Sequence, residues 1–228
     1  NGMRVNKANL IEFEGAIYHI GDRAKVTINK TVWISTKASN GFVTEGDYDF
    51  GADGKMIIYQ GVNNGYYYVD GIKTAAGLVQ QDGYYYFAGA GGKLKTSQAS
   101  WISKNNGLLP AGTYRFDAEG RIIMTEEVVN EGGTLYYYKD GMRKDNAGLV
   151  KVNGDYYRIG SGGVAVTNEA SWIGASNAYG FTAEYYLFGA DGKLSDYTGI
   201  RTEADAMYYY RNGMRVNKAN LIEFEGAI

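Results

Sequence analysis

The stretch YYYVDGIK, residues 66–73, decides how the chain is read. Tyr and Val favour a pleated strand, where flat and β-branched side chains pack against cross-strand neighbours. Asp70-Gly71 between extended residues is what a two-residue type I′ turn requires, because both of its central positions need positive φ. The same phrase returns as YYYKDGMR at 136–143 and as YYYRNGMR at 208–215. A hairpin signal used at nearly even spacing marks a repeat protein, in which neighbouring copies bury one another's apolar faces.

Working outward, the junctions VDGIKTAAGLV (69–79), KDGMRKDNAGLV (139–150) and RNGMRVNKANLI (211–222) are versions of one design. Cuts at Gly2, Gly71, Gly141 and Gly213 give units of 69, 70 and 72 residues. The expected organisation is therefore 1–70, 71–140 and 141–212, with 213–228 opening a further period. The segment NGMRVNKANLIEFEGAI at 1–17 recurs without change at 212–228, which places a hairpin turn at Asn1-Gly2. The chain is expected to begin inside a repeat of something longer.

Each unit divides again into three blocks that close on an aromatic strand and a Gly turn. One kind reads IYHIGDRAKV, YYYFAGAGGKL and YYRIGSGGVAV; a second reads YDFGADGKM, YRFDAEGRI and YLFGADGKL. Together with the tyrosine-rich kind these make an all-β chain of about nine stacked β-hairpins, a β-solenoid with almost no helix. Each unit also carries one Trp in a fixed setting, at Trp33, Trp101 and Trp172, which favours a structural role.

Side-chain alternation sorts the faces. Tyr48 and Phe50 match Tyr114 and Phe116, then Tyr186 and Phe188, while the residues between them vary freely, Asp49, Arg115 and Leu187, and charges occupy that other face, so Tyr-x-Phe points inward. By the same register Tyr18, Tyr86 and Tyr157 point inward, as do Tyr68, Tyr138 and Tyr210. The opposite face carries Tyr67, Tyr85, Tyr137, Tyr156, Tyr185 and Tyr209. These six are the candidate ligand-binding residues, because exposed rings stack on sugar faces or cations. The alternative is that they pack on adjacent hairpins.

Composition excludes several functions. With 33 Gly, 22 Tyr, one Pro, one His and no Cys, the chain is neither collagen-like nor disulfide-stapled. A net charge of −2 with no basic patch argues against a nucleic-acid partner. No run approaches the ~18 apolar residues of a membrane-spanning helix. The single histidine, His19, has Phe87 and Arg158 at its sister positions, so no catalytic triad or histidine metal site repeats. Turn carboxylates at Asp53, Asp117 and Asp191 read as local hydrogen-bond acceptors. Asp47, Asp49 and Asp53 could gather round calcium, but Thr113 and Arg115 replace the first two in the next unit. GAGG (89–92) and GSGG (160–163) lack the ending of a phosphate loop. No catalytic residue, metal site or cofactor is expected, and the chain reads as no enzyme.

YDFGADGKM, YLFGADGKL and YRFDAEGRI resemble the repeat phrase of bacterial cell-wall-binding proteins. That family includes choline-binding modules, glucan-binding repeats of streptococcal glucosyltransferases and the repetitive C-terminal region of large clostridial toxins. AGLVQQDGYYYF (76–87) and AGLVKVNGDYYRI (147–159) extend the resemblance to the whole chain. It implies about three hairpins per superhelical turn. It also implies a ligand cage of aromatic residues with a Met, and Met56, Met142 and Met214 hold the Met position. The family's first Trp position is here Leu10, Leu78 and Leu149, and its second is Tyr, which suits a glycan better than choline.

Two functions follow as expectations. The first is a non-enzymatic extracellular or bacterial cell-surface protein whose tandem repeats form a stalk or filament, with itself as head-to-tail partner. The second is a cell-wall or glucan-binding module of a larger secreted enzyme, toxin or adhesin, with cell-wall glycan or α-glucan as partner.

Overall fold

The computed structural model describes residues 9–204 and 206–217. The chain is all-β; the only helical turns among the described residues are short 3-10 turns at Asp22–Ala24, Ala90–Gly92 and Ser161–Gly163. It divides into two compact units, Asn1–Ile122 and Ile123–Ile228. The turn expected at Asn1-Gly2 and all but the first residues of the recurring segment at 212–228 lie outside the described residues.

The first unit is a succession of antiparallel pairs. Asn9–Phe13 pairs with Ala16–Ile20, Lys30–Ile34 with Gly46–Phe50, and Gly61–Asn63 with Tyr66–Val69. Gly77–Gln81 then pairs with Tyr84–Ala88, and Gln98–Ile102 with Gly112–Phe116. The second unit continues the pattern. Glu127–Glu131 pairs with Thr134–Lys139, Gly148–Val152 with Asp155–Ile159, Ala170–Ile173 with Glu184–Leu187, and Gly199–Glu203 with Ala206–Arg211.

The Asp70-Gly71 turn forms as read, with φ of 50° and 79°, but the ladder it closes is only two pairs long. The longer ladder lies on the other side of the tyrosine strand and is closed by Asn64-Gly65, with φ of 46° and 78°. The tyrosine strand is thus a middle strand. After Lys73 the chain turns away toward the next hairpin, and the Thr74 N–H donates to the Tyr67 carbonyl at 2.8 Å.

Successive hairpins are stitched by equivalent backbone bridges, Tyr18 to Lys55, Tyr86 to Arg121 and Tyr157 to Lys193. Gly92 shows why such turns need glycine. Its φ is +72°, and a Cβ there would stand 2.7 Å from both Thr74 N and Tyr67 O of the preceding hairpin.

Burial follows the alternation except at Leu187, which is buried between Tyr186 and Phe188. Tyr48, Phe50, Tyr114, Phe116, Tyr186 and Phe188 are all buried, as are Tyr68, Tyr138, Tyr210, Tyr86 and Tyr157. Each ring removed from water stabilises the fold by roughly 1.5–3 kcal/mol. The buried side chains form several small clusters. In the first unit Leu10, Ile34, Tyr48 and Phe50 make one, and Val79, Tyr86, Ala88 and Leu94 another. In the second, Val150, Val152, Tyr157 and Ile159 pack together, and Ile173, Tyr186 and Phe188 form a further group.

Three expectations about faces are corrected. Tyr137, placed on the outer face, is 3% exposed, because Val150, Val152 and Tyr157 of the following hairpin cover its ring. Tyr18 is only half-buried, and its neighbour His19 is buried instead. The imidazole lies against Phe50, and its Nδ1 shares a hydrogen bond with Thr27 Oγ1 at 2.7 Å. The tryptophans, read as structural, project into solvent.

Candidate functional site

Trp33, Trp101 and Trp172 occupy equivalent places on equivalent strands. Each precedes an isoleucine, and Ile34, Ile102 and Ile173 are buried. In a pleated strand the neighbour of an inward residue points outward. The indoles are accordingly 61%, 64% and 47% exposed. Leaving a ring this large in water forfeits the stabilisation that its burial would bring, so each is a flat apolar platform open to a ligand.

The platforms differ in their borders. Trp33 is paired across the strands with Asp47, Trp101 with Thr113 and Trp172 with Tyr185. Trp172 and Tyr185 meet edge to face at 5.3 Å. The Arg215 guanidinium lies 4.5 Å from the Tyr185 ring centre and 3.7 Å from that of Tyr208. It is held there by Glu203 at 2.6 Å and by the Tyr210 hydroxyl at 3.2 Å. Arg143 repeats the arrangement, stacked 3.7 Å from Tyr136 and paired with Glu131 at 2.7 Å. The two clusters fix the tyrosine strands and place their rings.

Of the six tyrosines expected to bind ligand, Tyr185 is exposed; Tyr67, Tyr85, Tyr156 and Tyr209 are half-buried, and Tyr137 is in the core. The Tyr137 hydroxyl donates to Glu126 at 2.5 Å. Burial, and then this carboxylate, push its ionisation above the ordinary tyrosine value, while the hydroxyl holds the Glu126 carboxyl below its usual range. Tyr67 leans on the cluster around Val79 and Tyr86.

Tyr156 has a different setting. Tyr179 and Phe181 stand nearly perpendicular to it at 5.3 Å and 5.0 Å, and Phe181 meets Tyr186 at 5.2 Å. With Arg211 and Met214 these rings line an open groove of about 470 Å³. Rings and a thioether could cradle either a sugar or a cation. The guanidinium on the rim opposes a second positive charge and favours an oxygen-rich ligand.

Leu10 and Leu78, at positions where the resemblance implies cage-forming Trp, are fully buried core residues. The turn carboxylates act as local acceptors: Asp53 Oδ1 receives the Lys55 N–H at 3.1 Å and Asp191 Oδ1 the Lys193 N–H at 3.1 Å. That backbone bond is the main reason the Asp53 carboxyl is held below its ordinary value. Sequence reasoning missed the tryptophan platforms, although the isoleucine after each one carried the signal.

No family model and no curated protein matches the chain. Among solved structures it is similar to CbpJ from Streptococcus pneumoniae TIGR4, at 18% identity, over 95% of this chain and 75% of that one, with a TM-score of 0.48. It is similar to choline binding protein F of Streptococcus pneumoniae, at 17% identity over 96% of this chain and 83% of that one, with a TM-score of 0.44. A third is the choline-binding domain of CbpL from Streptococcus pneumoniae, at 16% identity over 85% and 100% of the two chains, with a TM-score of 0.47. These are proteins of the kind that the repeat phrases resemble.

Proposed function

We propose that the chain is a non-catalytic glycan-binding module of a bacterial surface or secreted protein. The observation that carries this reading is the set of three outward indoles, Trp33, Trp101 and Trp172, at one equivalent position per repeat. A pyranose presents an apolar face of C–H groups that stacks on such a ring, and rings spaced along a repeat suit a polymer whose own units repeat. Tyr185 and Tyr156 extend the surface beside Trp172 and in the aromatic groove, and half-buried Tyr67, Tyr85 and Tyr209 offer ring edges. The ligand class is a cell-wall glycan or an α-glucan outside the cell.

Retention of the protein on isolated cell walls and on immobilised α-glucan tests the proposal. The Trp33→Ala, Trp101→Ala, Trp172→Ala triple variant is expected to lose retention while its circular dichroism stays unchanged. Undiminished retention by a folded triple variant would sink the reading.

A second reading rests on the unchanged recurrence of NGMRVNKANLIEFEGAI after 211 residues. It favours a tandem array extended into a stalk or filament, which could bind glycan along its length. Electron microscopy of the native material separates the two, since discrete short particles count against a filament.

A further inference from the structure

In the first two repeats the loop after the tryptophan strand clasps the preceding hairpin. The Leu10 N–H donates to the Ala38 carbonyl at 2.8 Å, and the Asn40 side-chain amide donates to the Leu10 carbonyl at 2.7 Å. In the next repeat the Leu78 N–H donates to Lys104 at 2.9 Å, and the Asn106 amide to Leu78 at 2.6 Å. Asn40-Gly41 and Asn106-Gly107 adopt paired positive φ values, 50° with 80° and 52° with 72°, which aim each amide back at the hairpin.

The third repeat departs from this. Ala178 and Tyr179 separate Asn177 from Gly180, so the Asn-Gly pair is broken. The Asn177 amide turns inward to its own loop, donating to Gly174 and Phe181 carbonyls at 2.7 Å each. Tyr179 instead docks on Tyr156 and accepts the Lys151 N–H at 3.1 Å. Among the described residues Leu149 makes neither clasp bond, and it is half-buried where Leu10 and Leu78 are fully buried. A cleft of about 190 Å³ opens in the place of the clasp, lined by Gly148, Leu149, Arg158, Trp172, Ser176 and Asn177.

The chemistry of this cleft is specific. Trp172 supplies a flat apolar wall. Arg158, whose sister positions are His19 and Phe87, brings the cleft a cation. Its guanidinium is steadied by the Ile159 carbonyl at 2.9 Å and the Trp172 carbonyl at 3.4 Å, and no carboxylate pairs with it among the described residues. The exposed Ser176 hydroxyl and the vacated backbone groups of Leu149 add hydrogen-bonding capacity. An aromatic wall beside a positioned guanidinium matches a sugar ring that bears a carboxylate.

We propose that this cleft is a subsite for an acidic sugar residue, stacked on Trp172 with its carboxylate on Arg158. The inference rests on the glycan-binding reading and narrows it for the third repeat. A cationic ligand is disfavoured there by Arg158.

Calorimetric titration of the full chain with a galacturonic acid oligomer, and with the same oligomer methyl-esterified, tests it. The acid form is expected to bind at least about ten-fold more tightly than the ester, with the difference shrinking as salt rises. Arg158→Gln is expected to abolish the difference, and Arg158→Lys to keep part of it. Deleting Ala178 and Tyr179, which rejoins Asn177 to Gly180, is expected to close the cleft and remove the binding. Equal binding of acid and ester, an Arg158→Gln variant that still prefers the acid, or no binding of either oligomer overturns the proposal. Should Arg158→Gln fail to fold, the acid and ester comparison and Arg158→Lys decide the matter. Retention on cell walls and α-glucan uses neither oligomer, so the broader glycan reading stands or falls separately.

Discussion

Asn106 donates its side-chain amide to the carbonyl of Leu78 at 2.6 Å, and so ties the loop of one hairpin to the strand of the one before it. The same amide reaches Ala76 at 2.8 Å. Asn106→Ala leaves two carbonyls without this partner and is expected to cost about 1–3 kcal/mol. Chemical denaturation measures it. A midpoint identical to that of the parent would show that the clasp contributes nothing.

A second tie recurs within repeats. The Tyr48 hydroxyl donates to Thr44 at 2.9 Å and the Tyr114 hydroxyl to Pro110 at 2.8 Å, each reaching a carbonyl four residues upstream. Tyr114→Phe keeps the buried ring and loses the bond, so it is expected to cost about 0.5–1.5 kcal/mol. Tyr114→Ala also empties the core and is expected to cost about 3–5 kcal/mol. Similar losses from the two variants would show that the hydroxyl, not the ring, matters at this site.

Adjacent residues on one strand are expected to behave oppositely. Ile102→Ala should destabilise by about 2–5 kcal/mol, since Ile102 is buried. Trp101→Ala should change stability by no more than about 0.5 kcal/mol. The same denaturation curves report both, and a large loss from Trp101→Ala would mean that the indole is packed.

Alkali should weaken the fold. Burial, the largest influence, pushes the Tyr68 and Tyr138 hydroxyls up to about 12 from 10.0. A group whose ionisation is raised on folding contributes stability that is complete below its unfolded value. That contribution is lost as pH climbs through the folded one. The thermal midpoint is therefore expected to hold below pH 10.0 and to fall between there and about 12. Tyrosinate absorbance should show a late-titrating fraction that merges with the rest in denaturant. One uniform titration in the native protein would contradict the burial.

The inward faces were legible because Tyr-x-Phe recurs with free variation between its rings, as at Asp49, Arg115 and Leu187. Local alternation needs no knowledge of neighbours. The fate of Tyr137 was not legible in its own strand, because Val150 and Tyr157 that cover it belong to the next hairpin. The tryptophans were legible in principle through the isoleucine beside each one, but a fixed setting suggested packing where it marks a repeated outward position. The Asp70-Gly71 hairpin forms as the sequence indicates, and a longer ladder lies on the other side of the tyrosine strand. Asp70-Gly71 and Asn64-Gly65 are equally good turn signals on either side of it, and only ladder length separates them. In the third repeat Ala178 and Tyr179, which part Asn177 from Gly180, were visible, but their effect depends on Tyr179 finding Tyr156.

The single-residue bridges Tyr18 to Lys55 and Tyr157 to Lys193 have a mechanical meaning. Among the described residues every long ladder joins two strands adjacent in sequence, as in Asn9–Phe13 with Ala16–Ile20. Traction on the backbone would therefore peel a hairpin from its open end, breaking its bonds in turn rather than together. Between hairpins the backbone bonds are scattered, as with the Leu78 N–H to Lys104 and the Leu94 N–H to Gly65, so they too break a few at a time. Such a chain should lengthen under load in small steps and recoil when released, as a pulling experiment would read in shallow, closely spaced drops. One tall rupture per unit would contradict it. The fold would then yield to load gradually.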